Sequence, residues 1–322
     1  MQLFLTIAFN VLTIIIVILI LIFLACFLVV QLFFVRPRNQ ELNEYGEDWN
    51  RKIEPEYQKY HDEAYEGTQW FRKQNYEEVS IQSFDNLKLC AYFLPAKEET
   101  TDTILLVHGY RAFGLYEFGS RVKFLHEQGW NLLIVDNRAH GRSEGKYIGF
   151  SILDRRDVCG WIDYLDKRFD SKERIVLHGV SMGGATVLAV AGTTNSKNVK
   201  GVVADCGYSS GFDEVAIQIS NLTHLPKFPF LYLCVWWLKV LAGYRIDEVT
   251  ARDAVKNYNG KLLIIHGGED TFVPTAMGHE IYEAASCDKD IMIVDGALHA
   301  LSYTDAPEAY QAKFSEFLGR IE

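Results

Sequence analysis

Ile175-Val176-Leu177-His178-Gly179-Val180-Ser181-Met182-Gly183-Gly184-Ala185 decides the fold. The stretch joins a short apolar run of the kind buried on both faces of a parallel sheet to G-x-S-x-G at 179–183, and then to small residues that open an apolar helical pattern. With 24 Gly in 322 residues, composition alone would produce about 0.08 such pentapeptides by chance. Context adds the specificity. A strand that turns at once into a helix around a serine is a strand-to-helix elbow, in which the serine takes a strained backbone conformation at the sheet edge. Gly179 and Gly183 remove side chains that would collide there.

Working outward, further short apolar runs occur at 103–107, 132–135, 199–204, 262–265 and 291–294. Helical patterns at 118–128, 152–168, 183–191, 275–285 and 307–320 separate most of them and would supply the crossovers of a mostly parallel sheet. Residues 77–96 alternate as two strands around Asp85-Asn86, a hairpin. These elements predict a three-layer α/β domain over 77–322. The rhythm breaks at about 207–259, where some fifty residues separate two neighbouring strands, so a small helical cap is expected there. Its run 228–238 is rich in aromatics and too short to cross a bilayer. It reads either as a cap lining an acyl pocket or touching the membrane, or as an ordinary buried helix.

A serine hydroxyl is a poor nucleophile near neutral pH and needs a base held by a third group. Asp270 follows the run 262–265 and His299 follows 291–294, so both fall beyond the carboxyl ends of predicted strands, on the rim where ligands meet parallel sheets. Asp205, after 199–204, is the alternative carboxylate. Upstream, Leu106-Val107-His108-Gly109-Tyr110 ends another strand; the amide of Tyr110, with that of Met182, is placed to form an oxyanion hole. His108 and His140 are expected to brace turns, and Cys159, Cys206 and Cys287 to be small apolar fillers. Asp213, Glu214 and Glu144 are the acidic residues placed to approach the site.

Taken together, His108-Gly109-Tyr110, Asp136-Asn137-Arg138-Ala139-His140-Gly141-Arg142-Ser143, the Ser181 elbow, Gly268-Glu269-Asp270 with Val273-Pro274, and His299 resemble the α/β-hydrolase superfamily. The likeness runs from about Glu77 to Glu322 and points to the membrane-anchored esterase, lysophospholipase and serine-aminopeptidase-like branch. The resemblance implies Ser181 as nucleophile, His299 as general base and acid, and Asp270 as the group that orients the imidazole. The chemistry expected calls for no cofactor, and without a CxxC pair or a Cys/His cluster at zinc spacing no structural metal is expected. Two departures narrow the resemblance: the lipase-type HGGG stretch is missing, and the nucleophile is not the aspartate of the dehalogenase and epoxide-hydrolase branches.

The first 35 residues hold no Asp, Glu, Lys, Arg or His, and 17 of the 20 at 11–30 are Val, Ile, Leu or Phe. At about -0.3 to -0.6 kcal/mol per apolar residue this run favours insertion by about 5 to 10 kcal/mol, and it is read as a membrane-spanning anchor at 1–35. A cleaved leader would want a basic start, a shorter apolar core and small residues at a cleavage site. Arg36 and Arg38 follow the run and no Lys or Arg precedes it, which puts the domain on the cytoplasmic side. Residues 36–76 read as a charged linker turning into a packing helix, with Ile53, Tyr57, Tyr60 and Ala64 at helical spacing. A net charge of -10 argues against nucleic acid as a partner. Nothing in the sequence sets an oligomeric state. The expected activity is hydrolysis of a carboxylic ester or thioester through an acyl-enzyme, on a small or lipid-like ester near the membrane. The alternatives are a serine peptidase or amidase of the aminopeptidase-like type, and a noncatalytic membrane-bound binding module.

Overall fold

The structure, a computed structural model, describes residues 1–37, 52–223 and 226–321. Most of the linker's first half, Arg38 included, lies outside the described residues. Eight strands form one sheet: β1 (Glu77–Gln82), β2 (Lys88–Leu94), β3 (Thr103–Val107), β4 (Asn131–Val135), β5 (Ile175–Val180), β6 (Val199–Asp205), β7 (Lys261–Gly267) and β8 (Asp288–Val294). Their spatial order is β1-β2-β4-β3-β5-β6-β7-β8. Only β2 runs against its neighbours; every pairing from β4 to β8 is parallel. The apolar runs mark these strands because successive side chains enter two different cores. Leu105 and Val107 pack on one face of the sheet, Ile104 and Leu106 on the other.

Eleven α-helices are described, and the first is α1 (Gln2–Phe34). On one face of the sheet lie α4 (Asp154–Arg168), α5 (Met182–Ala191) and α9 (Thr275–Ala284), through Trp161, Leu188 and Ile281 among others. On the other lie α2 (Gln58–Phe71), α3 (Gly114–Glu127) and α11 (Pro307–Gly319), through Phe71, Phe118 and Phe314. The cap region carries α6 (Gly211–Thr223), α7 (Lys227–Ala242) and the single turn α8 (Ala251–Ala254), and α10 (Ser302–Asp305) precedes α11.

Two elements begin earlier than the sequence pattern suggests. α3 starts at Gly114 rather than at 118, because Asp136 at the end of β4 accepts the Gly114 N–H at 3.0 Å and so satisfies a donor the helix leaves open. β8 starts at Asp288 rather than at 291; it is an edge strand, and its charged first turn, Asp288-Lys289-Asp290, hides it from an apolar-run search.

The N-terminal helix is not separate from the domain. Residues such as Leu3, Val11 and Leu19 are at least half exposed, but Cys26, Val30 and Phe34, four apart, are buried, Cys26 beside Cys234 of the cap and Phe34 against Phe150. Trp237 of α7 packs its ring 4.7 Å from that of Phe23 and 5.0 Å from that of Phe27 and donates its indole N–H to the Phe23 carbonyl at 3.1 Å. The opposite side of α7, Phe228, Tyr232, Trp236 and Val240, is exposed and continues the apolar surface of α1. The run 228–238 is thus buried on one side and exposed on the other, rather than wholly buried.

α2 meets α3 through small residues. A Cβ on Gly67 would lie 1.8 Å from the Gly119 carbonyl oxygen, and one on Gly119 would lie 2.2 Å from that of Ala64. Backbone cannot yield to such contacts. Gly119→Ala is therefore expected to lower stability by about 1–3 kcal/mol through overpacking, whereas Gly319→Ala, where a Cβ meets nothing within 4 Å, should be neutral or slightly stabilising. Thermal melts of the full chain in detergent compare the two, and equal melting points would contradict the contact.

Candidate active site

β3 connects to β4 on one side of itself and β5 adds on the other, so the strand order reverses between β3 and β5. At such a switch point the loops leaving the two strands part and open a crevice at their carboxyl ends. The loop after β3 carries Tyr110 and the turn after β5 carries Ser181.

Ser181 has φ 55° and ψ -118°, the strained elbow conformation expected from the sequence. A Cβ on Gly179 would fall 2.2 Å from the Gly183 carbonyl oxygen, and one on Gly183 would fall 1.9 Å from that of Val107. Only glycine fits either place. The Ser181 N–H donates to the Asp205 carbonyl at 2.8 Å, which ties the elbow to β6.

The structure brings Ser181, His299 and Asp270 together. His299 Nε2 lies 2.9 Å from Ser181 Oγ, and His299 Nδ1 lies 2.7 Å from Asp270 Oδ2. Asp270 Oδ1 accepts the backbone N–H groups of Phe272 at 3.0 Å and Val273 at 2.9 Å. Burial acts to raise the Asp270 carboxyl, but hydrogen bonds with His266 and His299 outweigh it and bring it down to about 2. An ionised Asp270 keeps the proton on Nδ1 of His299, so Nε2 is the nitrogen free to accept from the serine hydroxyl. His299 is partly open to solvent, and the Phe272 ring lies 4.9 Å from the imidazole.

Asp205 is engaged elsewhere. Its Oδ2 pairs with Arg121 at 3.0 Å and accepts from the Tyr310 hydroxyl at 3.1 Å, all fully buried beneath the elbow. Sequence order offered this carboxylate as an alternative because Arg121, 84 residues away, gives no local signal. Of the other acidic residues singled out, Glu144 accepts the Lys88 N–H at 2.8 Å beside the hairpin, and Asp213 pairs with Lys227 at 3.3 Å.

The amide of Met182 is the first of α5 and so has no partner within its helix. Tyr110 sits in a heavily braced loop. Glu117 accepts the Gly109 N–H at 3.2 Å and the Tyr60 hydroxyl at 2.8 Å, so α2 supports the loop through α3. His108 Nε2 accepts from the Asn137 N–H and His140 Nε2 from the Arg111 N–H, both at 3.0 Å. Burial keeps the His108 imidazole well below its ordinary value and holds that of His140 near 4, so both stay neutral braces. Cys206 shares the neighbourhood of Asp270 and His299, but it is fully buried and its thiol is pushed well up by burial. A neutral thiol behind two engaged side chains is a poor metal ligand.

Above Ser181 lies a cavity of about 270 Å³ lined by Tyr110, Phe150, Met182, Tyr208 and Phe272, with Val29, Phe33 and Phe34 from α1. The α1 residues were not foreseen, because an apolar helix reads the same whether lipid or protein covers it. One charged side chain enters: Glu214 of α6, which is 3 % exposed. Its Oε1 accepts from Gln218 at 2.8 Å, while its Oε2 has no hydrogen-bond partner among the described residues. Burial pushes this carboxyl up to about 7, against the opposing pull of Gln218 and His299.

The family model described as serine aminopeptidase, S33, matches residues 98–228. The Bacillus subtilis protein YqkD is 28% identical over 256 residues, covering 75% of this chain and 83% of its own. Among solved structures, an esterase of Pyrococcus furiosus is 25% identical with a TM-score of 0.62, over 77% of this chain and 93% of its own. An esterase from Exiguobacterium antarcticum shares the fold at 17% identity and a TM-score of 0.57, over 76% of this chain and the whole of its own. With the eight-stranded sheet and the elbow, these matches give the chain the α/β-hydrolase fold.

Because the folded carboxyl of Glu214 lies near 7, above the ordinary range, the folded chain binds this proton more tightly than the unfolded one. Its contribution to stability is present at low pH and is lost as pH rises from about 4.5 through about 7. Glu214→Gln should therefore flatten the fall in melting temperature between pH 5 and pH 8; an unchanged pH slope would place the ionised carboxylate in contact with water.

Proposed function

We propose that this chain is a serine hydrolase that cleaves carboxylic esters, thioesters included, through an acyl-enzyme. The reading is carried by the 2.9 Å contact between Ser181 Oγ and His299 Nε2, with Asp270 holding the far side of the imidazole. Ser181 Oγ attacks the acyl carbon as its proton passes to Nε2, and the carbonyl oxygen takes up negative charge toward the Tyr110 and Met182 amides. The ester C–O bond then breaks, and His299 returns the proton to the departing alkoxide. Water, deprotonated by the same nitrogen, releases the acid and restores the serine. The Pyrococcus furiosus protein to which the chain is similar is an esterase, which supports the same chemistry.

A second reading, removal of an amino-terminal residue from a peptide, draws on Glu214 and on the description of the matching family. A carboxyl held near 7 is only half ionised at neutral pH, and no other charged side chain lines the cavity among the described residues, which favours an uncharged acyl group over an ammonium. Matched p-nitrophenyl esters and aminoacyl p-nitroanilides separate the two. A noncatalytic binding module would leave Ser181 unreactive toward fluorophosphonates.

We further infer that α1 crosses the membrane. It has 33 residues, a mean hydropathy of 3.6 in its most apolar window, and little burial there. The domain then lies on the cytoplasmic side, by the charge that follows the helix; of the two arginines, Arg36 donates to the carbonyl of Ser143 at 2.7 Å and so also fixes the helix end to the domain.

Ser181→Ala is expected to abolish fluorophosphonate labelling and to cut ester turnover by several orders of magnitude without loss of fold. Asp270→Asn should keep the fold and lower kcat by about 10⁴, as in comparable triads. Undiminished hydrolysis by purified Ser181→Ala protein would remove the serine mechanism.

A further inference from the structure

The end of α1 is built into the active site. Its last carbonyls, which a helix leaves without internal partners, are taken by the loops around the cavity. Phe33 O accepts the Tyr110 hydroxyl at 2.6 Å, Leu32 O accepts the Arg111 guanidinium, and Phe34 O accepts the Ile148 N–H at 2.8 Å. The Arg36 N–H donates to Lys146 O at 2.9 Å, and Val35 bridges to Tyr147. Tyr110, whose amide is proposed for the oxyanion hole, is thus gripped through its side chain by the N-terminal helix. On the adjoining face, Val29, Phe33 and Phe34 line the cavity over Ser181.

Length places this end near a bilayer. A 33-residue helix is about 50 Å long, and a hydrocarbon core of about 30 Å takes up about 20 residues of it. Leu3 to Leu21 carry the consistently exposed apolar side chains, whereas from Cys26 onward one face is buried in the domain. The stretch free to lie in lipid on every side is therefore the amino-terminal part of α1, within the anchor read at 1–35. Val29 follows Leu21 by about 12 Å along the helix. An acyl chain leaving the bilayer beside α1 meets the cavity within that distance.

Resting on the reading of Ser181 as nucleophile, we propose that α1 is a specificity wall as well as an anchor: Val29, Phe33 and Phe34 bound a site for the acyl chain of a medium-chain ester drawn from the bilayer. Taking each methylene as about the size of a water, about 30 Å³, the cavity of about 270 Å³ takes roughly nine carbons.

The test uses the full chain reconstituted in phosphatidylcholine vesicles, with p-nitrophenyl esters from acetate to palmitate. Val29→Phe should move the optimum to shorter chains and lower kcat/KM for the decanoate at least tenfold relative to the acetate. Phe33→Ala should move it to longer chains. Leu28→Phe, on the exposed face of α1, should leave the profile unchanged. Fluorophosphonate labelling of Ser181 is read in each protein. Labelling retained with an unshifted profile in both Val29→Phe and Phe33→Ala overturns the wall while leaving the hydrolase reading intact. Absence of labelling in the unaltered chain overturns that reading instead. Diluting the decanoate with added phospholipid at fixed bulk concentration tests the source: the rate should fall with the ester's mole fraction in the vesicle, and a rate that follows bulk concentration overturns uptake from the bilayer.

Discussion

Everything at the site depends on one residue's backbone. Ser181 at φ 55° and ψ -118° occupies a region that costs an ordinary side chain about 1–3 kcal/mol. The fold holds it there from both sides. Gly179 and Gly183 let the strand, the helix and the end of β3 approach to distances no Cβ would allow, and the Asp205 carbonyl takes the Ser181 amide. In return the hydroxyl stands clear of its own helix and faces His299, while the unpaired amide of Met182 starts α5 directly beside it. A relaxed turn would separate these two features. The strain and the geometry are one arrangement.

The sheet supplies the remaining positions. Asp270 and His299 follow β7 and β8, and Tyr110 follows β3, so with the Ser181 elbow after β5 four strand ends converge on the rim beside the point where strand order reverses. α1 adds a fifth. Its carbonyls hold Tyr110 and Arg111, and its side chains close the cavity, so the segment that anchors the chain also shapes the site. On the proposed reading, bilayer, acyl cavity and oxyanion loop form one continuous path.

How much of this was legible in the sequence follows from what each signal measures. Parallel strands are apolar on both faces, so 103–107 and 262–265 stand out by themselves, and the glycines around Ser181 announce a turn. Placing Asp270 and His299 after strands needed only element order, and the structure has both within hydrogen-bond reach of their neighbours. Pairings between distant residues left no trace. Arg121 claims Asp205 from 84 positions away, and nothing in the acidic opening of α6 distinguishes Glu214, inside the cavity, from Asp213, paired at the surface. The docking of α1 was hidden for a different reason. Lipid and a protein groove both select apolar side chains, and only the buried spacing of Cys26, Val30 and Phe34 separates them.

The most direct measurement is a crystal structure of the full chain after reaction with an alkyl fluorophosphonate of about nine carbons. The account predicts phosphorus bonded to Ser181 Oγ, its oxygen about 2.7–3.1 Å from the amides of Tyr110 and Met182, and the alkyl chain lying along Val29 and Phe33. An adduct on another residue, or an oxygen turned to solvent away from both amides, would contradict it.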